Sequence, residues 1–209
     1  MLVEIQEPNL DPKQAFTNLE ALAKDLGEPC LNVAMTLLGN PNFKIWSASS
    51  RTDKHHYGDG MLVAHTNEVV TISNLIAEMY SGRYSIDPIE IYLAALFHDA
   101  GKLYDYKQIK PEFGTMEYYM NETWGGNPHR RLIHHVSRSG LIWHDAAQKD
   151  EFIFEHYHDS VLHAILSHHG SREFGSPVAP KTRTAWIVHY ADALSARIFD
   201  ADTFDVVKA

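Results

Sequence analysis

Apolar residues recur at helical spacing along most of this chain, whereas alternating runs of β-branched residues are scarce. The segment 61–80 is the clearest case, because it is amphipathic throughout and stops at Ser81-Gly82. Asp11-Pro12 and Asp87-Pro88 each place an N-cap acid before a proline, and the first turn is where a helix tolerates proline. These features predict an all-α fold, built as a helical bundle.

The pattern also predicts where the helices lie. No composition shift or linker marks a domain boundary, so we expect one domain over 1–209, with a helical N-terminal extension at 1–40 and a core at 41–200. Residues 41–60 and 103–126 contain no clear periodicity and are predicted to be irregular. The predicted helices are 12–26, 29–38, 61–80, 88–101, 127–147, 155–169 and 182–199.

Composition narrows the class of protein. The net charge is −9, from 18 basic and 27 acidic residues, so the overall field repels long polyanions. The chain contains no apolar run of 18 residues, and its first ten residues lack the features of a signal peptide. Cys30 is the only cysteine, which excludes an intrachain disulfide. We therefore expect a cytoplasmic protein that does not enter the membrane.

Histidine is the anomaly of the composition, with 14 residues, and it is both the commonest metal ligand and the acid or base of neutral pH. His98-Asp99 ends the strongly apolar stretch IYLAALF. Burying this Asp is costly unless a cation compensates it. The pair alone is weak support, since a solvated helix end would explain it equally well.

Two other residues place polar groups on apolar helix faces. His65 shares its face with Leu62 and Val69, so it is expected to point into the core. Asp192 shares its face with Ala185 and Val188, and a carboxylate there needs a strong partner such as a metal. Imidazole and carboxylate ligands together suit Mn, Fe, Mg, Ni or Zn ions.

Two histidine pairs extend this set. His135 is the favoured ligand of the first pair because it lies on the more apolar face, with His134 as the alternative. His168 is preferred in the second pair, with His169 as the alternative. Taken singly, each pair is better explained as one core histidine bonded to the backbone. That explanation weakens when five such sites share one apolar framework.

The order of these residues resembles the HD-domain superfamily of metal-dependent phosphohydrolases. Four stretches are similar to the HD domain of bacterial 3′→5′ exoribonucleases in which an OB-fold precedes that domain: HHYGDGMLVAHT, LAALFHDAGK, ILSHHGSREFGSPVAPKT and WIVHYADALSAR. The resemblance covers about residues 41–200. The first 40 residues depart from it, because they have a helical pattern and are too few for an OB-fold.

The resemblance implies an HD-domain helical bundle that holds one or two divalent metal ions. Asp99 would bridge the two ions and be catalytic, and Lys102 would neutralise a phosphate oxygen, unless it is simply a solvated lysine at a helix end. Arg138 lies three residues after His135 and is a weaker candidate for binding the phosphate of a substrate. His55 and His56 resemble a His-His pair of the family and would bind substrate, unless they are simply surface histidines of a loop. The implied ligands are His65, His98, Asp99 and Asp192 for the first ion, and Asp99, His135 and His168 for the second.

These residues predict a phosphohydrolase or phosphodiesterase acting on a small nucleotide or a short single-stranded nucleic acid. Two alternatives share the scaffold: a di-iron oxygenase with the same ligands, and a non-catalytic binding or regulatory module. The sequence leaves the oligomeric state open. Trp46, Trp124, Trp143 and Trp186 are expected in the core, although Trp124 is also a candidate for stacking on a base.

Overall fold

The computed structural model describes residues 11–201, and side chains as far as Ile198. Residues 1–10, on which the signal-peptide prediction rests, lie outside this range. The described part is a helical bundle, as predicted. Its longer helices are α1 (Pro12–Asp25), α2 (Glu28–Leu38), α3 (Met61–Ser81), α4 (Pro88–Phe97), α8 (His135–Ala147), α9 (Glu151–Ser167) and α10 (Arg183–Ala201), and the shorter ones are α5 (Lys102–Asp105), α6 (Met116–Tyr119) and α7 (His129–Leu132).

Helix α4 is the centre of the bundle. Every residue from Ile91 to Phe97 is buried, and the helix packs against α2, α3, α8, α9 and α10. A helix that is apolar on all sides must be enclosed by other helices. Asp87 caps it by accepting hydrogen bonds from the backbone N–H groups of Ile89 (2.8 Å) and Glu90 (3.3 Å). The chain therefore leaves α4 at His98-Asp99 in the interior of the molecule.

The N-terminal helices belong to the same core. Ala15, Leu19 and Ala23 of α1 are buried, and α1 packs on α3. The hydroxyl of Tyr92 in α4 donates a hydrogen bond to the carbonyl of Leu19 at 2.8 Å. One cluster of buried apolar residues runs from Ala15 to Ala191, so α1 and α2 stabilise the helices that carry the site.

The prediction of one continuous helix over 127–147 is wrong. Helix α7 ends at Leu132, His134 has a φ of +70°, and α8 starts at His135. The backbone N–H of His135 donates to the carboxylate of Asp105 at 3.1 Å. A side chain 30 residues earlier in the chain thus satisfies one of the free N–H groups at the start of α8, and the helix can begin afresh there.

The irregular connection predicted at 103–126 contains regular pieces. Strands β1 (Tyr106–Gln108) and β2 (Trp124–Gly126) pair antiparallel, with Tyr106 opposite Gly126. Helix α9 also starts earlier than predicted, at Glu151, because Asp150 caps it through the N–H of Ile153 at 3.1 Å. Within residues 11–201, no helix is long and apolar enough to cross a membrane.

The tryptophans differ from expectation at two positions. Trp124 is fully buried and its Nε1 donates to Asp59 at 2.8 Å, so the prediction that this ring could stack on a base is wrong. Trp186 is 44% exposed on α10, so it is not a core residue. Trp143 is buried, and Trp46 is half-buried with its ring 4.9 Å from that of Trp124.

Candidate metal centre

Helix ends and helix faces from five parts of the chain converge on one buried point. His98 and His168 are the C-caps of α4 and α9, and each is followed by a second polar residue, Asp99 or His169. His135 is the first residue of α8. A Cβ on Gly101 would overlap the backbone carbonyl of His135, so glycine is what allows the end of α4 and the start of α8 to meet.

Four of the side chains form what we call the carboxylate cluster: His65, His98, Asp99 and Asp192. The Nε2 of His65 lies 3.2 Å from Asp99 Oδ2 and 3.2 Å from Asp192 Oδ1. The Nε2 of His98 lies 3.3 Å from Asp99 Oδ2 and 3.3 Å from the Nε2 of His65. All four ligand atoms lie within 4.8 Å of one another, which is close enough to share one ion.

Three further side chains form the histidine cluster: His135, His168 and His169. Their ligand nitrogens also lie within 4.8 Å of one another, and the Nε2 atoms of His135 and His169 are 3.4 Å apart. The other oxygen of Asp99, Oδ1, lies 3.5 Å from His135 Nε2 and 3.7 Å from His168 Nε2. Asp99 therefore faces one cluster with each of its two oxygens.

Two atoms between the clusters are buried without a hydrogen-bond partner among the described residues. They are Asp99 Oδ1 and His168 Nε2. A buried carboxylate oxygen and a buried imidazole nitrogen left unpaired are costly, and both are ligand atoms. A divalent cation would satisfy both, so the residues present fit such an ion.

Each histidine of the two clusters is oriented by its other ring nitrogen. In every case Nδ1 is within hydrogen-bond distance of an oxygen, which leaves Nε2 for the centre. Such outer partners fix the ring and its tautomer before any ion binds. The partners are Ser195 Oγ for His65 (3.1 Å), the carbonyls of Ala95 for His98 (2.7 Å), Ile165 for His168 (2.6 Å) and Phe174 for His169 (2.8 Å), and Asp105 for His135 (2.9 Å).

The histidines of the two clusters differ in the direction of their pKa shifts. Burial lowers the pKa of His135 to about 4, and burial together with the nearby His169 keeps the pKa of His168 well below its ordinary value. Burial also lowers the pKa of His65, but hydrogen bonds to Asp192 and Asp99 outweigh it and raise that pKa. Burial raises the pKa of Asp99, and the charge of Lys102 more than reverses this. Neutral imidazoles and ionised carboxylates are the forms that bind metals.

Lys102 lies beside the bridging carboxylate. Its Nζ is 2.6 Å from Asp99 Oδ2, and the side chain is 8% exposed. Burial lowers the pKa of this lysine, but the charge of Asp99 outweighs burial and raises it, so the ammonium stays charged. The alternative of a solvated lysine at a helix end is therefore wrong, and the predicted catalytic role of Lys102 stays a prediction.

Asp105 is an outer residue that the sequence reasoning missed. Its carboxylate is fully buried and accepts hydrogen bonds from the Nδ1 of His135 (2.9 Å) and of His129 (2.7 Å). The Nε of Arg138 donates to the Nε2 of His129 at 3.1 Å, which completes a relay from Arg138 to His135. Arg138 also stacks on Tyr104 at 4.8 Å. It does not line the cavity over the clusters, which argues against the predicted contact with substrate.

Glu68 is a second residue that sequence reasoning missed. Ser195 donates its hydroxyl hydrogen to Glu68 at 2.7 Å and can therefore accept one from His65. Glu68 also lies 3.0 Å from the Nε2 of His56, a residue only 1% exposed. Because His56 is buried, the predicted contact of this residue with substrate is not supported. His55 does line the cavity, so its predicted role as a substrate contact stands as a prediction.

An open cavity of about 430 Å³ lies over the two clusters. Burial, with the charge of Lys102, lowers the pKa of His55 at its wall to about 3. His189, which was also missed, lines the wall, and its Nδ1 donates to the carbonyl of His168 at 2.7 Å. Gly170 has a φ of +83°, and a Cβ there would overlap the ring of His189. His134 is half-buried with its ring 4.1 Å from that of His135, and it stays an alternative ligand.

Comparison with known proteins assigns the class. This chain belongs to the HD domain family, whose family model matches residues 62–197. It is 31% identical over 150 residues to the 3′-5′ exoribonuclease YhaM of Bacillus subtilis, which covers 70% of this chain and 42% of that protein. The corresponding YhaM of Bacillus licheniformis is 30% identical over 148 residues, again 70% of this chain and 42% of that protein.

A third relative carries a different name. The dihydroneopterin 2′,3′-cyclic phosphate phosphodiesterase of Methanocaldococcus jannaschii is 30% identical over 148 residues, covering 70% of this chain and 50% of that protein. The chain thus aligns with half or less of the length of these relatives. No solved structure matches it significantly.

Proposed function

We propose that this chain is a metal-dependent phosphohydrolase that cleaves a phosphodiester bond in a nucleotide or a short single-stranded oligonucleotide. One observation carries the proposal: Asp99 turns one oxygen toward each of two ligand clusters, and the oxygen toward the histidine cluster has no hydrogen-bond partner among the described residues. Two adjoining divalent sites that share a carboxylate are a common arrangement for phosphoryl transfer.

The ligands would be divided between the clusters. The carboxylate cluster would hold one ion through His65, His98, Asp99 and Asp192. The histidine cluster would hold a second through His135, His168 and His169, completed by Asp99. Divalent ions held there would supply Lewis-acid activation of the phosphoryl group and a nucleophile drawn from water at neutral pH.

The residues of the cavity wall would bind and orient the substrate. The ammonium of Lys102 would neutralise one phosphate oxygen, which is favourable because this side chain is buried beside Asp99 and little exposed to water. His55 is neutral, so its ring can accept or donate a hydrogen bond to the ester. His189 donates its Nδ1 hydrogen to the protein, which leaves Nε2 as an acceptor toward the cavity.

The names of the relatives support the substrate class. Two are called exoribonucleases and one a cyclic phosphate phosphodiesterase, and all of these names describe cleavage of phosphodiester bonds. The ligand set of five imidazoles and two carboxylates suits Mn, Fe, Ni and Zn ions, and suits Mg less well. The choice among these ions is left to experiment.

The test is hydrolysis of bis(p-nitrophenyl) phosphate by protein stripped of metal and reloaded in turn with Mn²⁺, Fe²⁺, Ni²⁺, Mg²⁺ and Zn²⁺. We expect turnover with at least one ion and its loss in Asp99→Ala, in which both clusters lose their shared ligand. A fully active Asp99→Ala variant would overturn the proposal. Metal binding without turnover, together with oxygen consumption by the iron-loaded protein, would favour the oxygenase instead.

A further inference from the structure

Basic side chains outnumber acidic ones on the wall of the cavity over the metal centre, in a chain whose net charge is −9. Lys54, Lys102 and Arg197 line it, against one carboxylate, Asp192, which belongs to the carboxylate cluster. Lys54 and Arg197 are exposed. None of the ion pairs among residues 11–198 includes either of them. Lys102 is held beside the metal centre by Asp99, where it would face the phosphate that is cleaved, so Lys54 and Arg197 are the cations left for a second phosphate.

An aromatic ring stands at the edge of the same cavity. Phe174 is 68% exposed and ends a short 3₁₀ helix, Arg172–Phe174. Its carbonyl accepts the hydrogen bond from His169 Nδ1, and the hydroxyl of Ser176 accepts one from the backbone N–H of His169 at 3.1 Å. Gly175 follows with a φ of +97°, which turns the chain back at once. The backbone that carries this ring is therefore hydrogen-bonded to a candidate metal ligand.

We propose that Phe174, Lys54 and Arg197 form a nucleotide subsite beside the metal centre, in which Phe174 stacks on a base and the two cations bind a phosphate next to the one that is cleaved. This inference rests on the proposed function and narrows its substrate. The preferred substrate is a short single-stranded oligonucleotide, which supplies both a base and a second phosphate. A cavity of about 430 Å³ is of the size that binds one nucleotide-sized ligand.

The base contact is tested by isothermal titration of the Mn²⁺-loaded protein with two probes, adenosine 5′-monophosphate and ribose 5-phosphate, which differ only in the base. We expect the nucleotide to bind about tenfold more tightly, since stacking of one base on an aromatic ring has about this effect. In Phe174→Ala the ratio of the two dissociation constants falls toward one, and Phe174→Trp restores it. The matched control is Phe113→Ala, whose ring is 81% exposed but does not line the cavity.

The phosphate contact is tested with adenosine 3′,5′-bisphosphate against adenosine 5′-monophosphate. The wild-type protein should bind the bisphosphate about fivefold to tenfold more tightly, and Arg197→Gln and Lys54→Gln should each reduce that preference. Lys149→Gln is the control. This exposed lysine lies just after the C-terminal end of α8, whereas His135 is at the N-terminal end, and it does not line the cavity.

The two proposals fail in different ways. Equal binding of adenosine 5′-monophosphate and ribose 5-phosphate by the wild-type protein, or a ratio unchanged in Phe174→Ala, overturns the subsite. Binding is measured directly, so the subsite is decided even if no ion supports hydrolysis of bis(p-nitrophenyl) phosphate. Absence of hydrolysis with every ion tested would overturn the proposed function and leave the subsite to be decided by binding.

Discussion

The two ligand clusters meet at Asp99 but are built in opposite ways. In the carboxylate cluster, burial lowers the pKa of His65, but hydrogen bonds to the two acids on either side of it, Asp192 and Asp99, outweigh burial and raise that pKa. In the histidine cluster, burial lowers the pKa of His135 and His168 and keeps both rings neutral. The atoms of the carboxylate cluster that face one another are thus within reach of hydrogen-bond partners, whereas Asp99 Oδ1 and His168 Nε2, beside the histidine cluster, are buried without a partner among the described residues.

Because of this difference, the two clusters would bind a metal ion under different conditions. An ion in the carboxylate cluster gains from two negative charges but competes with protons for His65, whose pKa is raised. An ion in the histidine cluster displaces none, but only the shared Asp99 offers it a charge. We therefore expect the carboxylate cluster to bind more tightly at neutral pH, and the histidine cluster to depend more on the residues that orient its rings.

The largest effect should come from Asp192→Asn, which removes a charge from the carboxylate cluster alone. We expect kcat/KM for bis(p-nitrophenyl) phosphate to fall about a thousandfold, and the metal content measured by mass spectrometry to fall by at least one ion per chain. Asp145→Asn, on the exposed face of α8, is the control. Unchanged metal content in Asp192→Asn would show that this carboxylate is not a ligand.

His169→Gln should have a smaller effect, because it removes one neutral ligand of the histidine cluster and leaves both charges in place. The expected fall in kcat/KM is about a hundredfold, with the ion of the carboxylate cluster retained. His156→Gln, an exposed histidine of α9, serves as the control. If His134→Gln lost activity and His169→Gln did not, the ligand would be His134, the alternative that the sequence left open.

Substitution of the residues that orient the ligands should distinguish the two clusters further. Asp105→Asn replaces an acceptor of three hydrogen bonds by a side chain that can accept only part of them. We expect a loss of about 1–3 kcal/mol in unfolding free energy, and a fall of about tenfold to a hundredfold in metal affinity at the histidine cluster.

Glu68→Gln is the matching substitution beside the carboxylate cluster. Glu68 reaches His65 through the hydroxyl of Ser195 rather than directly, so the expected loss of metal affinity is below about tenfold. Denaturant unfolding and metal titration of the two variants side by side give both quantities. Equal losses in the two variants would mean that the two clusters respond as one unit.

The features that the sequence predicts correctly are those controlled by local signals. Asp87-Pro88 identified the start of α4, and the expense of burying Asp99 identified the centre of the site before any geometry was available. His65 was predicted to face the core from the spacing of its apolar neighbours, and it is fully buried. These inferences worked because the cause and the effect lie within a few residues of each other.

What the sequence could not predict depends on distant contacts. The break before His135 is explained by Asp105, whose position near α8 no local pattern reveals. His168 and His169 could not be separated because both reach the centre, which a single helical stripe does not allow. Glu68 is the exception among the missed residues: it lies three positions after His65 on α3, a spacing that could have identified it.

The smallest effect should come from Arg138→Gln, which probes the sequence prediction that Arg138 binds substrate. In the structure its Nε donates to His129, two hydrogen bonds away from His135. We therefore expect kcat/KM to fall less than about fivefold, with KM almost unchanged, since a side chain that acts through another does not remove substrate binding. Arg138→Lys makes the test decisive. Lysine keeps the charge and loses the Nε donor, so a positioning role predicts that the two variants behave alike. Recovery by lysine, with a raised KM in Arg138→Gln alone, would show that the charge of Arg138 contacts the phosphate.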